Sequence, residues 1–363
     1  MNQKVLYFLL IVICMICMGI VGCKFQANSM EEEETIEYEE LKTLRVSVQP
    51  YFLSTQLQYI IENQLDLKAG LKIELVLSED GRGQIMDESI PKWDVATIGG
   101  AFVYALANDD AILIAEIIKS TESNNIYAKS NSEIFNTVGF NPTYPDVYGS
   151  PETVKGATLY ITDNTTSEYV ANKWLASIGM KAENVNIINA PFEQSYLNLK
   201  ENPTSFASLT APYSFMVKTE GYDVVASATQ LNLPLNEVIV ANKEFYSDKE
   251  DEIKIFLKLM LETAMILEED NKLKIKTVTS WYETYGNFQE NTYLNAIEEE
   301  CELKEYITPY NYSYDEFGKF ADGYASFLAQ NGSIETDDLL NVRENMDGEI
   351  FKNALESILE NKR

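Results

Sequence analysis

Apolar and polar residues alternate in short segments along the body of the chain, with the period of two that half-buried β-strands require. The first such segment covers residues 44–48, and Pro50 ends the pattern soon after it. Leu57, Ile60, Ile61 and Leu65 then recur at the spacing of one helix face. Later apolar runs predict strands at residues 73–77, 95–98, 112–118 and 125–128.

The series of strands and helices continues beyond a loop-like stretch at residues 132–150. Residues 282–363 have the pattern of helices packed on a finished core. Strands are predicted at residues 158–161, 185–189, 206–209, 223–228 and 237–241, and helical spacing predicts helices around residues 170–178 and 253–267. Strands that alternate with helices indicate an α/β fold with mostly parallel sheets, covered by helices.

The amino terminus has a different pattern, an apolar run over residues 5–22 that follows Lys4 and ends at Cys23. This arrangement is typical of a secretory leader. Residues 20–23, Ile-Val-Gly-Cys, resemble the bacterial lipobox, which implies lipidation of Cys23, removal of residues 1–22 and a membrane anchor. An uncleaved anchor helix and a chance placement of the cysteine are the alternatives. The Glu-rich residues 23–42 suit an extended acidic tether.

Length and composition restrict the chemistry of the body. The 363 residues suit two α/β lobes, and the formal charge of −29 disfavours nucleic acid and is typical of a soluble monomer. The chain has no histidine, which excludes Ser-His-Asp and Cys-His catalysis. Cys301 is the only cysteine in the body of the chain, beyond the leader and Cys23, so we expect neither a disulfide framework nor a metal site.

Five segments in a fixed order resemble the nitrate, sulfonate, taurine and thiamine-precursor binding group of ABC transporter substrate-binding proteins. They are LRVSVQPY at 44–51, WDVATIGGAFVYALAN at 93–108, VKGATLYITDNTTSEYVANKWLASI at 154–178, TAPY at 210–213 and LPLNEVIVANKEF at 233–245. The resemblance covers residues 44–271. It implies a two-lobed type II periplasmic-binding-protein fold that captures a small-molecule ligand and passes it to an ABC permease. No cofactor and no enzyme activity are implied, because enzymes that share this fold use histidine.

In such proteins the chain crosses between the lobes twice, and the lobes close on the ligand by a hinge motion. The resemblance implies that residues 43–128 begin lobe one, 129–230 form lobe two and 231–363 complete lobe one, with crossings near 127–131 and 227–235. The long loop at 132–150, and a Gly-Gly pair at 99–100 where relatives often have Gly-Asp, leave the ligand open. A sulfonate- or nitrate-like anion and a thiamine-precursor-like heterocycle are the candidates. A ligand-sensing lipoprotein that is not coupled to transport is the alternative function.

Ligands of open α/β sheets bind beyond the carboxyl ends of the strands, where amides at helix starts are free to donate. We therefore expect ligand contacts from the residues that follow the predicted strands, namely Gln49, Pro50, Tyr51, Arg82, Gly99, Gly100, Ala101, Phe102, Asn164, Thr165, Thr166, Thr210 and Tyr213.

These residues also have purely structural interpretations. Residues 165–168, Thr-Thr-Ser-Glu, fit a helix capping box, the Gly-Gly pair fits a tight turn, and the aromatic rings fit ordinary packing. Arg82 suits the binding of an anion, but a solvated arginine in the loop at 81–83 is the alternative. A cationic or aromatic ligand would instead use Asp80, Asp163 or Glu237 together with tyrosines.

Overall fold

The strands form two sheets, and the chain passes between these sheets twice. A computed structural model describes residues 41–90, 92–286 and 293–361. Its strands are β1 Lys42–Val48, β2 Leu71–Leu77, β3 Val95–Ile98, β4 Ala111–Lys119, β5 Asn125–Lys129, β6 Thr158–Ile161, β7 Asn186–Asn189, β8 Phe206–Leu209, β9 Tyr222–Ser227, β10 Asn236–Asn242 and β11 Glu305–Tyr306. One sheet has the order β11-β4-β10-β3-β1-β2, and the other has the order β7-β6-β8-β5-β9. We call these sheets, with their helices, the first and the second lobe.

Helices connect and cover the strands, as the alternating pattern predicts. They are α1 Gln56–Glu62, α2 Leu65–Lys68, α3 Gly81–Met86, α4 Phe102–Ala107, α5 Pro151–Val154, α6 Thr166–Ser177, α7 Phe192–Glu201, α8 Tyr213–Met216, α9 Glu250–Glu269, α10 Asn271–Tyr285, α11 Leu294–Leu303, α12 Lys319–Asn331, α13 Asp338–Glu344 and α14 Glu349–Asn361. The α/β fold class with two lobes and a double crossover is confirmed.

The sheets are mixed, whereas the strand and helix alternation predicted mostly parallel pairing. Strand β1 runs parallel to β2 and β3, and β6 runs parallel to β7 and β8. The exceptions include β5 and β10, which pair antiparallel with their neighbours. Each of these two strands directly follows a crossing, so it starts at the junction between the lobes and runs away from it. The neighbouring parallel strands run toward the junction.

The first crossing lies earlier in the chain than we predicted. Strand β4 of the first sheet ends at Lys119 and β5 of the second sheet begins at Asn125, so residues 125–128 belong to the second lobe. The chain returns between Ser227 and Asn236, close to the predicted segment 227–235. The sequence shows two apolar strands separated by a short turn, and nothing in that pattern indicates that they belong to different sheets.

The apolar positions of the first predicted strand form part of the buried core of the first lobe. Leu44, Val46 and Val48 are fully buried in a cluster that includes Phe256 and Leu257 of α9. A second cluster joins α4, α6 and α12 and so belongs to both lobes. Full burial of each such side chain contributes about 1.5–3 kcal/mol to the free energy of folding. Clusters of many such side chains therefore stabilise the folded lobes.

At the two ends of the chain, the structure adds a strand to the predicted helices and does not include the leader. The tail contains, besides helices, the short strand β11, which extends the first sheet beside β4. The leader, Cys23 and nearly all of the acidic tether lie outside the described residues. In the described part of the chain, no helix is long and apolar enough to cross a membrane.

Candidate functional site

Strand ends from both sheets surround one small cavity at the junction of the lobes. Its volume is about 40 Å³. The predicted site residues that line it are Gln49, Tyr51, Gly99, Gly100, Ala101, Thr165, Thr166 and Thr210. The other lining residues are Leu53, Gly81, Phe192, Ala211, Glu237 and Lys304. The strand-end rule therefore located the cavity, whereas contact of these residues with a ligand stays a prediction.

Gly99 and Gly100 have different roles at the cavity wall. A side chain on Gly100 would meet Thr166 and Tyr324, because its β carbon would lie 3.0 Å from Cγ2 of Thr166 and 3.0 Å from Cε1 of Tyr324. Any larger residue at position 100 would require Thr166 or Tyr324 to shift by a few tenths of an ångström. A β carbon on Gly99 would have no atom within 4 Å. Gly99 thus borders open space, and a methyl group added there would not clash with the protein.

The start of helix α6 forms the wall contributed by the second lobe. The Thr165 hydroxyl accepts a hydrogen bond from the Ser167 amide at 3.2 Å, and Thr166 Oγ1 donates to Asn124 Oδ1 at 3.1 Å. The expected reciprocal partner, Glu168, accepts from the Asn164 amide at 2.8 Å and not from Thr165. Because Asn124 lies in the first crossing, the start of α6 is tied directly to the connection between the lobes.

A buried ion pair lies at the side of the cavity contributed by the first lobe. Lys304 Nζ lies 2.8 Å from Glu237 Oε1 and 3.1 Å from Glu300 Oε1, and the second of these contacts lacks hydrogen-bond geometry. Tyr282 donates to Glu300 Oε2 at 2.8 Å. The other oxygen of Glu237, Oε2, is buried and has no hydrogen-bond partner. Glu237 is therefore a cavity-lining carboxylate with an unused acceptor.

Burial and charge act in opposite directions in this cluster. Burial lowers the pKa of Lys304, but the carboxylates of Glu237 and Glu300 outweigh it and keep this pKa above its ordinary value. Burial raises the pKa of Glu300, against the lowering effects of Lys304 and Tyr282. Lys304 is consequently a permanent ammonium group, and its charge is already shared between two carboxyl groups.

Aromatic rings close the cavity toward a groove on the surface. Tyr51 and Phe192 line both spaces, and their rings pack edge to face with centroids 5.9 Å apart. Pro50 and Tyr213, which we expected at the ligand, line only the groove. Tyr213 is hydrogen-bonded to Tyr51 across the two lobes, and burial raises the pKa of both phenols. The rings therefore lie between the cavity and the groove.

Three other predicted contacts lie away from the cavity. Phe102 is fully buried and packs on Phe320, with ring centroids 5.6 Å apart. The Asn164 amide group reaches Met86, with Nδ2 3.9 Å from the sulfur. Arg82 forms an ion pair with Asp163 at 2.7 Å.

The segment around Arg82 is a helix start and not the loop that we expected. Asp80 caps α3 by accepting a hydrogen bond from the Gly83 amide at 2.8 Å, so Gly81 begins a helix. This aspartate is the capping signal that the sequence reading overlooked. Arg82 is about half exposed on this helix, and its charge is directed to the second lobe.

The sequence analysis did not predict some residues that line the cavity, because they lie far along the chain from the residues that they contact. Lys304 comes from the tail, 67 residues beyond its partner Glu237. Its one local signal is the spacing of Glu300 and Lys304, which places opposite charges four residues apart on a helix. Phe192 follows Pro191 at the start of α7, and this strand-to-helix turn resembles those that did supply candidates.

The described residues contain no group of three or more His, Cys, Asp or Glu side chains that could hold a metal ion. Cys301 is free and buried, and burial raises the pKa of its thiol, which makes it an unreactive apolar side chain.

Solved structures share the fold of this chain. The aliphatic sulphonate-binding protein SsuA of Escherichia coli matches with a TM-score of 0.64 and 14% identity, over 84% of this chain and 97% of that one. The nitrate-binding protein NrtA of Synechocystis PCC 6803 matches with a TM-score of 0.66 and 13% identity, over 88% of this chain and 89% of that one. These matches show that the chain has the fold of periplasmic binding proteins.

Sequence comparison leads to the same class. No family model matches the chain. It is 30% identical over 338 residues to an ABC transporter periplasmic binding protein of Brachyspira hyodysenteriae. The aligned region covers 93% of this chain and 96% of that protein. The chain belongs to the family of ABC transporter periplasmic binding proteins. The predictions of a substrate-binding protein and of no enzyme activity are confirmed, and the protein works outside the cytoplasm.

Proposed function

We propose that this protein is a lipid-anchored, monomeric solute-binding protein that captures one small molecule between its lobes and delivers it to an ABC permease. The observation that carries the proposal is the cavity itself. Residues that follow strands of both lobes line it, so the cavity is formed by the two lobes together.

Closure of the lobes explains the size of the cavity. A pocket for a small organic ligand usually measures about 300–1,000 Å³, well above the volume enclosed here. A solute of several heavy atoms can therefore enter only when the lobes move apart, and the crossings at residues 120–124 and 228–235 are the connections about which they move. Thr166 and Asn124 link one of these connections to the cavity wall.

The lipid anchor rests on the sequence around Cys23. Two or more acyl chains, at about 0.8 kcal/mol per buried methylene, hold a protein stably on a membrane, whereas one chain does not. We expect the wild-type protein to fractionate with membranes, to carry lipid mass and to lack residues 1–22, whereas Cys23→Ser carries no lipid and keeps residues 1–22. Wild-type protein that retains residues 1–22 and has no lipid mass would contradict lipidation.

Solute binding is tested by thermal unfolding of the full chain in detergent with sulfonates, nitrate, amines, amino acids and pyrimidines. A solute at 100 times its dissociation constant adds about 2.7 kcal/mol to the stability of the folded state. Small-angle scattering with the same solute should show a smaller radius of gyration than without it. A solute that stabilises the protein without any change in scattering would contradict the closing motion.

A further inference from the structure

Glu237 is the polar group in the cavity whose bonding is incomplete. It is 7% exposed, and its Oε1 accepts from Lys304 at 2.8 Å. Its Oε2 has no hydrogen-bond partner. A buried carboxylate oxygen without a donor is costly, and the groups that relieve this cost are hydrogen-bond donors.

Glu237 lies at the junction of the lobes and lines the cavity there. Glu237 is the second residue of β10, which begins directly after the return crossing. The same cavity is lined by Gly99, which follows the neighbouring strand β3, and by Thr166 of the second lobe. A solute held between the lobes would therefore lie beside Glu237 from the moment of closure.

Lys304 also lines the cavity, but it does not make the site a receptor for anions. Its ammonium group contacts Glu237 and Glu300 and lies over the ring of Phe52, 5.1 Å from the ring centroid. In the adjacent ion pair, Lys274 Nζ lies 2.7 Å from Glu268 Oε1, so the two charges neutralise each other. Two carboxyl groups share one ammonium, so the cluster has no positive charge to spare for an anion.

Arg82, the cation expected to bind an anion, is equally committed. Its guanidinium pairs with Asp163, and it is not among the residues that line the cavity. The charged groups at the cavity thus provide an acceptor and no uncompensated cation.

We propose that the solute of this site presents a nitrogen hydrogen-bond donor, an ammonium or an amino group on a heterocycle, to Oε2 of Glu237. This rests on the proposed solute-binding function and narrows it. A sulfonate or nitrate group without an amine would leave Oε2 unpaired, or would approach it with like charge.

Matched probe pairs test the inference by calorimetry on the full chain. Taurine differs from ethanesulfonate, and 4-aminopyrimidine from pyrimidine, in the amino group. We expect the amino member of at least one pair to bind 10-fold or more tightly than its partner, because a hydrogen bond to a carboxylate is stronger than one between neutral groups. Glu237→Gln should remove most of that preference.

Glu300→Gln is the matched control. It removes a carboxylate from the same lysine, but Glu300 is fully buried and does not line the cavity. It should keep the preference within about threefold of the wild type. Thermal unfolding of both variants without solute shows whether either of them is damaged in folding.

The possible outcomes distinguish a failure of the donor inference from a failure of the proposed solute-binding function. If ethanesulfonate, nitrate or pyrimidine binds at least as tightly as the amino probes, and Glu237→Gln leaves this binding intact, the donor inference is wrong and solute binding stands. If the two variants lose binding equally, direct contact with Glu237 is wrong. If none of the probes binds, the inference is overturned, and the broader solute screen decides separately on the proposed function.

Discussion

Arg82 Nη1 donates to Asp163 Oδ1 at 2.7 Å and so joins helix α3 of the first lobe to the turn after β6 of the second. Both side chains are partly exposed, so this ion pair contributes only about 0.2–1 kcal/mol to closure. The pair explains the position of Arg82 without a bound anion.

We expect Arg82→Ala and Asp163→Ala to weaken solute binding by similar factors, each less than about fivefold, because both remove the same contact between the lobes. The double variant should be no weaker than either single one. Calorimetry with the tightest solute of the screen measures this. A loss for Arg82→Ala that exceeds the loss for Asp163→Ala by more than tenfold would instead mean that Arg82 binds the solute.

The buried lysine beside the cavity should be essential for stability. Lys304→Met leaves Glu237 and Glu300 facing each other without their shared cation. We expect the free energy of unfolding to fall by about 3–5 kcal/mol, measured with urea. Adding Glu237→Gln and Glu300→Gln to Lys304→Met should restore part of the loss. A loss below about 1 kcal/mol in the single variant would show that the cluster is not ionised as described.

Glu116 should make the protein more stable in mild acid. It is buried in β4 and accepts from Tyr312 at 2.7 Å, Asn236 at 2.9 Å and the Gly318 amide at 3.3 Å. Burial raises its pKa in spite of these donors. The folded state therefore holds the proton more tightly than the unfolded chain does. The resulting stability is complete below the ordinary value of 4.5 and is lost as pH rises through the raised value.

We expect the melting temperature of Glu116→Gln to change less than that of the wild type between neutral pH and pH 4.5. Glu302→Gln, an exposed substitution in the tail, is the control for the general effect of negative charge. If the melting temperature of Glu116→Gln varied with pH in parallel with that of the wild type, the proton on Glu116 would not contribute to stability in mild acid.

The sequence predicted the cavity better than it predicted which side chains face it. Gly99 and Thr166 could be found because parallel strands place their carboxyl ends at one edge of the sheet. Phe102 could not be excluded in this way, because its ring turns toward Phe320 of the tail helix α12. The direction of a side chain in the first turn of a helix depends on packing that strand order does not contain.

The ion pair at the cavity was beyond sequence reasoning for a related reason. Glu237 was a candidate contact for a cationic or aromatic ligand, but its partner Lys304 is brought to it only by the packing of α11 and β11. The sequence around Glu237 gives no sign of a contact with Lys304, and the sequence around Lys304 gives no sign of one with Glu237. The first crossing was misplaced because β4 and β5 are both apolar and are separated by only five residues.

The most direct test of a solute between the lobes is to fill the cavity from Gly99. Gly99→Ala adds a methyl group into open space, whereas Gly323→Ala adds one on an exposed face of α12, also without any atom within 4 Å. Thermal unfolding of both variants is measured with the solute that stabilises the wild type. We predict that the solute stabilises Gly323→Ala like the wild type, and that Gly99→Ala, while folded normally, loses most of this stabilisation. Equal stabilisation of both variants would contradict a binding site between the lobes.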